Sequence, residues 1–397
     1  MAHGTVGSPD REMTVAALDS VAAIRDAVLD ASRAGRTLRI VARGTWLDAG
    51  RPVHATETLS TRELAGITQY VPGDLTLTAL AGTTLGEIHA ATAVHGQWLA
   101  LDPYGTDEGT IGATVATGSA GPLVTFFGRP RDLVLGVEFV TGAGVVARGG
   151  GRVVKNVAGF DLTRLLTGSW GTLGVLTEVT VRLHARPESD ESIAIRLDER
   201  STPPAERVRQ LLRRLPFAPY VCEVVNDALA RQLGVGTGIT ALVRLGGNRE
   251  SVRAQRAAFN ELGDARDVDP KVWSALRGAE PASANVLRLS RLASEIGVTW
   301  SDAQTLGATA GGSALIHATP SRGIVRCILP RGDAATRARL RVALDTPTTA
   351  TRIGERLEAE LWPLVTRPAS SGSLASRIRS AFDPREILNP GVLGALE

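Results

Sequence analysis

The chain has 397 residues, of which 43% are hydrophobic and 21% are charged. This length predicts two or three domains that bury a core without disulfides, and the composition excludes a mainly disordered protein. The net charge is only +3, and no basic block with interleaved aromatic residues occurs, so nucleic acid is not an expected partner.

No transmembrane segment is predicted, because no apolar run reaches 18 residues. The first 15 residues contain no apolar segment, so no signal peptide is expected. The two cysteines, Cys222 and Cys327, form neither a disulfide framework nor a ligand cluster, and the six histidines are scattered. We therefore expect a cytoplasmic protein without a metal site.

Regular elements alternate through the first half of the chain. Apolar spacing predicts a helix over 19–34, and a short buried strand follows over 38–42. Residues 102–131 are predicted to hold few regular elements. The other predicted elements are a strand over 75–81, a helix over 85–95, strands over 133–140 and 144–149, a helical turn over 161–167 and a strand over 175–184.

One phosphate-binding pattern occurs but in the wrong context. Gly142, Gly144 and Ala147 form GxGxxA after a predicted strand. A dinucleotide site needs a helix to begin there, whereas β-branched residues and glycines follow. We interpret the segment as a hairpin turn. No GxxxxGK[ST] motif is present, which argues against a P-loop enzyme.

The texture of the sequence changes after Pro187, where glycine becomes rarer and βα patterns of ordinary length begin. These patterns predict a second domain over 187–345 that has an antiparallel sheet covered by helices, and a tail over 346–397. Its predicted strands are 192–197, 220–225, 240–245, 313–317 and 323–329, and its predicted helices are 204–215, 249–262 and 333–344, with a further helix over 374–382 in the tail.

Glycine is concentrated in residues 101–180, which hold 16 of the 43 glycines. This density indicates backbone that approaches a ligand closely. Residues 109–122 are almost all small. Either their consecutive N–H groups form an anion-binding loop, or the segment forms a set of tight turns in a β-rich core. Gly168, Gly171 and Gly174 are spaced by three before a predicted strand. Such spacing would let the backbone pass close to a flat ring system, or it would form a glycine-rich connection between a helix and a strand.

Lysine is nearly absent, because 42 of the 44 basic residues are arginine. Lys155 is one of the two lysines and opens the segment KNVAGFDLTRLLTGSWGTLG. Either an ammonium group makes a specific contact there, or the residue is there by chance.

Residues 133–183, and the segment from Lys155 to Gly174 above all, resemble the FAD-linked oxidase family of vanillyl-alcohol-oxidase-type flavoproteins. Within that family the resemblance is to the FAD-binding subunits of bacterial glycolate oxidases. It runs from about residue 36 to 187 and resumes in the tail at FDPREILNPG. It implies an α+β fold, with a two-part PCMH-type FAD-binding domain over 1–186, a smaller antiparallel-sheet and helix domain over 187–345, and a tail, 346–397, that returns to the FAD domain.

The resemblance also implies which residues bind the cofactor. The first diphosphate loop corresponds to residues 43–47, although its usual run of glycines is replaced here by Thr-Trp-Leu. The complete implied set is Arg43, Gly44, Thr45, Trp46, Leu47, Pro103, Thr110, Gly112, Thr117, Gly118, Ser119, Gly121, Pro122, Lys155, Gly168, Gly174, Val175 and Asn389. At Gly118 and Gly174 we expect a valine side chain to occupy cofactor space.

The expected cofactor is noncovalent FAD, since the first domain has no cysteine and the first loop no histidine. The implied role is the FAD-binding subunit of a glycolate oxidase-type complex, which would oxidise a small 2-hydroxy acid beside a catalytic flavoprotein subunit and an iron–sulfur subunit, with membrane contact only through partners. Two alternatives stay open: a stand-alone FAD-linked oxidase or dehydrogenase, and a flavin-free structural subunit. His317 alone is more typical of a structural histidine, and no catalytic base is identified.

Overall fold

A computed structural model describes residues 15–151, 161–198, 202–365 and 373–394. The N-terminal region contains a parallel sheet of three strands, an antiparallel sheet of five strands and a two-stranded ribbon. Its strands are β1 (Val15–Ala17), β2 (Leu38–Val41), β3 (Glu57–Ser60), β4 (Ile67–Val71), β5 (Thr76–Leu80), β6 (Gln97–Trp98), β7 (Val134–Val140), β8 (Val146–Gly150), β9 (Val175–Arg182) and β10 (His184–Ala185). Its helices are α1 (Val21–Ala34), α2 (Leu85–Ala93), α3 (Ile111–Thr117), α4 (Val124–Phe127), α5 (Pro130–Leu133) and α6 (Leu162–Leu166).

Local sequence signals explain where these helices begin and end. The Ser20 hydroxyl accepts a hydrogen bond from Ala23 N at the start of α1, and Gly35 ends the helix in the left-handed conformation. Thr84 and Glu87 form a reciprocal capping box at the start of α2. The predicted hairpin is confirmed, because β7 and β8 pair antiparallel through a turn in which Gly144 has φ +73°.

The second region is built on one antiparallel sheet of eight strands in the order β14-β11-β13-β12-β16-β17-β15-β18. The strands are β11 (Ser189–Arg196), β12 (Val221–Val225), β13 (Thr240–Gly247), β14 (Ala265–Asp267), β15 (Asn285–Ser290), β16 (Leu315–Thr319), β17 (Ile324–Leu329) and β18 (Thr351–Arg356). The helices are α7 (Pro204–Leu212), α8 (Asp227–Gln232), α9 (Arg249–Phe259), α10 (Val272–Arg277), α11 (Ile296–Thr309), α12 (Ala334–Asp345) and α13 (Trp362–Val365), and α14 (Ser373–Phe382) follows in the tail.

Strand β18 lies beyond residue 345, yet it pairs with β15 at the edge of the large sheet. We therefore propose a boundary for the second domain near residue 365 in place of 345. The tail beyond α14 returns to the N-terminal region, where Leu388 forms a parallel bridge with Leu38 at the start of β2.

Each region has its own core, and a further apolar cluster combines Trp98 and Phe127 of the N-terminal region with Val221 and Leu229 of the second. Apolar residues of β5, β7 and β9 pack against α2 and α3 in the N-terminal region, with Phe139 and Ile111 fully buried. In the second region Trp300 of α11 lies at 1% exposure among residues of the eight-stranded sheet. A cleft remains between the two regions, and it contains the candidate site.

Candidate functional site

The first of two connected cavities lies between β2, the loop after β2, helix α3 and the tail. It encloses about 140 Å³. Its lining includes predicted residues from four separate segments of the chain, namely Arg43, Gly44, Thr45, Trp46, Leu47, Thr110, Gly112, Thr117, Gly174 and Asn389. The tertiary structure thus brings together most of the residues that the sequence assigned to FAD.

The loop of residues 43–48 has a set of unused backbone donors. Within the described part of the chain, no N–H group of residues 44–48 donates a hydrogen bond to another protein atom. Gly44 adopts φ +72°, a conformation that turns successive N–H groups toward one side. Arg39 and Arg43, each with a guanidinium group, line the same cavity. This donor set fits a diphosphate, despite the Thr-Trp-Leu sequence.

Residues 109–122 contain a helix, where composition left open either an anion-binding loop or a set of tight turns. Residues 111–117 form helix α3, capped by the Thr110 hydroxyl, which accepts from Ala113 N. The N–H groups of Ile111 and Gly112 donate to the carbonyl oxygens of Thr83 and Ala81 over 2.9 Å each. Those two N–H groups therefore donate to protein carbonyl groups and do not contribute to an anion-binding loop.

At Gly118 and Gly174 a side chain would meet protein atoms first, and its contact with the cofactor stays a prediction. A Cβ at Gly118 would lie 3.2 Å from Gly168 Cα, and Gly118 ends α3 with φ +64°. A Cβ at Gly174 would lie 2.6 Å from Phe139 Cδ2, inside the core. Both glycines therefore allow close packing of protein against protein, and each lines one of the two cavities.

Asn389 connects the tail to the cavity wall. Its side-chain Oδ1 accepts from Ile40 N over 2.7 Å, and its Nδ2 donates to Trp170 O over 2.7 Å. Trp170 itself has φ +56°, and its N–H donates to Ala116 O at the end of α3. One amide thus ties three segments of the first cavity together.

The remaining predicted residues lie elsewhere. Pro103, Pro122, Gly168 and Val175 do not line either connected cavity; Val175 is fully buried in a core cluster, and Gly121 lines only the deep pocket described below. Their contact with FAD stays a prediction. Lys155 lies outside the described residues.

The second cavity encloses about 560 Å³ and shares Trp46, Thr117, Trp170 and Val392 with the first. It lies between the N-terminal region and the cleft-facing side of β15, β17 and β18, and it includes Gly118 and Ser119. The Ser119 hydroxyl is buried and has no hydrogen-bond partner among the described residues. A buried hydroxyl without a partner is costly, so this atom indicates a polar ligand.

Arginine dominates the charge around the second cavity. Arg129 from the start of α5 and Arg322 from the turn after β16 line the cleft, and their side chains form no ion pair or hydrogen bond within the described residues. Burial, together with the charges of Arg129 and Arg288, lowers the pKa of Arg322. Cations that repel one another at the same cleft favour an anionic ligand.

A deep pocket at the end of the cleft contains a histidine that the sequence analysis interpreted as structural. His317 of β16 is 2% exposed, and its Nδ1 lies 2.9 Å from Oε2 of the fully buried Glu223 on β12. The other carboxylate oxygen of Glu223 accepts from the Thr319 hydroxyl over 2.6 Å. His317 Nε2 is buried without a partner among the described residues, and the residue lines the pocket.

Arg326 anchors the floor of the deep pocket. Its Nε lies 2.6 Å from Glu355 Oε2, it pairs also with Glu280, and its guanidinium stacks 3.6 Å from the Tyr104 ring centroid. Although burial acts against its charge, Glu355 and Glu280 raise the pKa of Arg326. This arginine is neutralised by its partners, in contrast to Arg322 and Arg129. The pairing of β16 with β17 places His317 beside Arg326, and the pairing of β12 with β16 brings Glu223 to His317 across 94 residues, which no sequence motif shows.

Among the described residues that line the two connected cavities there is no histidine or cysteine, the residue types to which flavin is covalently attached in some relatives. Across the ranges that the structure describes, no group of three His, Cys, Asp or Glu residues has the arrangement of a metal site. In those same ranges, no helix is both long and apolar enough to cross a membrane.

Comparison with known proteins identifies the N-terminal region. Residues 14–150 match the model of an FAD binding domain. The chain is 40% identical to the glycolate oxidase subunit GlcE of Escherichia coli (strain K12) over 232 residues, which cover 57% of this chain and 60% of that protein. It is 38% identical to the glycolate oxidase subunit GlcD of Bacillus subtilis (strain 168) over 120 residues, 30% of this chain and 26% of that one. The chain thus spans less than two thirds of either curated relative.

The fold extends further than the sequence match. The structure superposes on p-cresol methylhydroxylase with substrate bound at a TM-score of 0.76, with 17% identity, covering 96% of this chain and 88% of that one. The second region therefore shares its fold with that protein, and the expected fold class is confirmed.

Proposed function

We propose that this chain, whose residues 14–150 match an FAD binding domain, has FAD as its cofactor and is the FAD-binding subunit of a glycolate oxidase-type enzyme. Its reaction is the oxidation of a small 2-hydroxy acid, with glycolate to glyoxylate as the model case. The observation that carries this proposal is the cleft, where a donor-lined cavity continues directly into an arginine-rich one.

The residues fit FAD in two parts. The free N–H groups of residues 44–48, with Arg39 and Arg43, would hold the diphosphate. The unpartnered Ser119 hydroxyl, in the second cavity, would meet a polar group of the ribityl or flavin portion. The apolar side chains of Ile40, Ala81 and Leu176 give the first cavity the surface that an adenine ring requires.

The substrate would occupy the second cavity and the deep pocket. Arg322 and Arg129 are free to bind its carboxylate, one from each side of the cleft. With the Nδ1 proton of His317 directed to Glu223, Nε2 has a free lone pair and would accept the proton of the substrate hydroxyl. Bound FAD supplies the acceptor for the hydride that leaves the hydroxyl-bearing carbon. The hydroxyl-bearing carbon would become the carbonyl carbon of a 2-oxo acid, and His317 would hold the hydroxyl proton.

Partners are part of the proposal. Similarity to both GlcE and GlcD supports a multisubunit complex, and we propose a catalytic flavoprotein subunit and an iron–sulfur subunit as the other members. In such a complex the electrons leave this chain through the flavin to the iron–sulfur subunit. Contact with a membrane would then be made by the partners.

A second candidate, a stand-alone FAD-linked oxidase or dehydrogenase of a hydroxy acid, is favoured by the His317–Glu223 pair, because the chain then contains its own proton acceptor. Anaerobic addition of glycolate and D-lactate to the purified, FAD-loaded chain tests both. Bleaching of the flavin absorbance by the chain alone supports the stand-alone enzyme. Bleaching only in the purified complex supports the subunit, and no bleaching in either preparation contradicts hydroxy-acid oxidation.

A further inference from the structure

The loop that would hold the FAD diphosphate contains an acidic residue, Asp48, next to the free donors of residues 44–48. Carboxylate and diphosphate repel each other, so an unpaired Asp48 would weaken cofactor binding. A cationic side chain from the other side of the cleft pairs with this carboxylate. Arg356, at the end of β18, places its Nε 2.8 Å from Asp48 Oδ2.

Two further contacts join the same two segments. Gly50 N donates to Glu355 O over 2.8 Å, and the Arg51 guanidinium lies 5.4 Å from the ring centroid of Trp362. The second region therefore holds the C-terminal end of the proposed diphosphate loop through backbone, charge and ring contacts. The loop is not positioned by its own domain alone.

Arg356 is itself firmly placed. Its side chain is 7% exposed, its Nη1 donates to Pro281 O over 3.1 Å, and the same Nη1 lies 3.6 Å from Glu280 Oε2. Glu280 also pairs with Arg326. Removal of Arg356 would thus leave Glu280 with one cationic partner, whereas Asp48 has no other ion-pair partner in the described chain.

We propose that Arg356 is a positioning residue for FAD, which neutralises Asp48 and so couples cofactor affinity to the docking of the second domain on the loop. This inference rests on the proposed binding of FAD by residues 43–48. The residue touches the loop and not the reacting atoms, so its effect is on affinity and not on the chemistry.

The test is a cycle of FAD dissociation constants, measured by quenching of flavin fluorescence on the full-length chain. We expect Arg356→Gln to weaken FAD binding about 10-fold, Arg356→Lys to stay near wild type, and the double variant Asp48→Asn/Arg356→Gln to return within about 3-fold, because no charge is then left to neutralise. Arg249→Gln, which breaks an exposed ion pair with Glu188, is the matched control and should leave affinity unchanged.

Several outcomes would overturn the inference. Wild-type affinity in Arg356→Gln removes the need for neutralisation, and a loss that Asp48→Asn does not restore makes the role purely structural. If Arg356→Gln does not fold, the double variant is compared with Asp48→Asn alone, and a 10-fold difference between them contradicts the proposal. Gly44→Val tests the premise separately: unchanged affinity there shows that the loop does not bind FAD at all.

Discussion

The side-chain amide of Asn389 donates to the carbonyl oxygen of Trp170 over 2.7 Å, across 219 residues of sequence. The same side chain accepts from Ile40 N in β2. The wall of the first cavity therefore depends on a residue near the end of the chain. Two hydrogen bonds and a backbone φ of +43° at Asn389 explain why an asparagine suits this position.

We expect Asn389→Ala to destabilise the protein by about 1–3 kcal/mol, because a buried donor and acceptor lose their partners. FAD affinity should fall with it, since the segments at Ile40 and Trp170 separate. Asn389→Asp keeps the acceptor for Ile40 N but loses the donor to Trp170 O, so it should fall between the two. Chemical denaturation and FAD titration of the three proteins measure this, and equal affinity in all three would contradict the role.

Gly118→Ala should reduce FAD content through packing. The left-handed backbone strains any side chain at this position, and the new Cβ would press against Gly168 Cα at 3.2 Å. Gly35→Ala is a matched control, since Gly35 also caps a helix at φ +65° but has no atom within 4 Å of a Cβ. We expect a similar loss of about 1 kcal/mol from strain in both variants and loss of flavin only at Gly118. Flavin absorbance per protein after gel filtration is the measurement.

Ser119→Ala should separate cofactor binding from stability. Its hydroxyl is buried without a partner in the described chain, so its removal should leave the melting temperature of the FAD-free protein unchanged or slightly higher. The FAD-bound protein should lose affinity by about 1 kcal/mol, the value of one hydrogen bond. Thr125→Val removes another buried unpartnered hydroxyl outside both cavities and should not change FAD affinity.

His317→Gln should lower the rate of flavin reduction by a hydroxy acid about 10²–10⁴-fold without loss of bound FAD, because a proton acceptor is removed. Glu223→Gln should lower the rate less, since it disturbs only the orientation of the ring. Stopped-flow reduction and flavin content are measured together. Wild-type rates in His317→Gln would return this residue to a structural role.

We expect the free energy of unfolding to depend on pH through Asp102. Burial raises its pKa to about 7, against hydrogen bonding from Leu123 N and the charge of Arg277. A carboxyl group with a raised folded-state pKa favours the folded state most at low pH, and that contribution is lost as the pH rises from about 4 through 7. Asp102→Asn keeps an acceptor for Leu123 N and should melt a few degrees higher than wild type at pH 8, with the difference vanishing near pH 4. Melting curves across this range check the sign.

The sequence by itself determined the local elements and the cofactor. The spacing of apolar residues placed α1 and the hairpin of β7 and β8, because the helical and strand periods are written in neighbouring residues. The segment around Gly168–Gly174 indicated FAD, which the domain match supports. Helix α3 was missed, because small residues with a threonine cap resemble a loop in composition.

Only the tertiary structure decided the second half of the site. Glu223, His317 and Arg326 lie on three strands that become neighbours through antiparallel pairing, and the Arg356–Asp48 contact joins segments about 300 residues apart. No local pattern encodes such pairs, since each residue alone is an ordinary charged or polar side chain. The chemical properties of these side chains depend on the folded structure. His317 Nε2 is unpartnered, Arg322 is free and Asp48 is neutralised only when the two regions enclose the cleft.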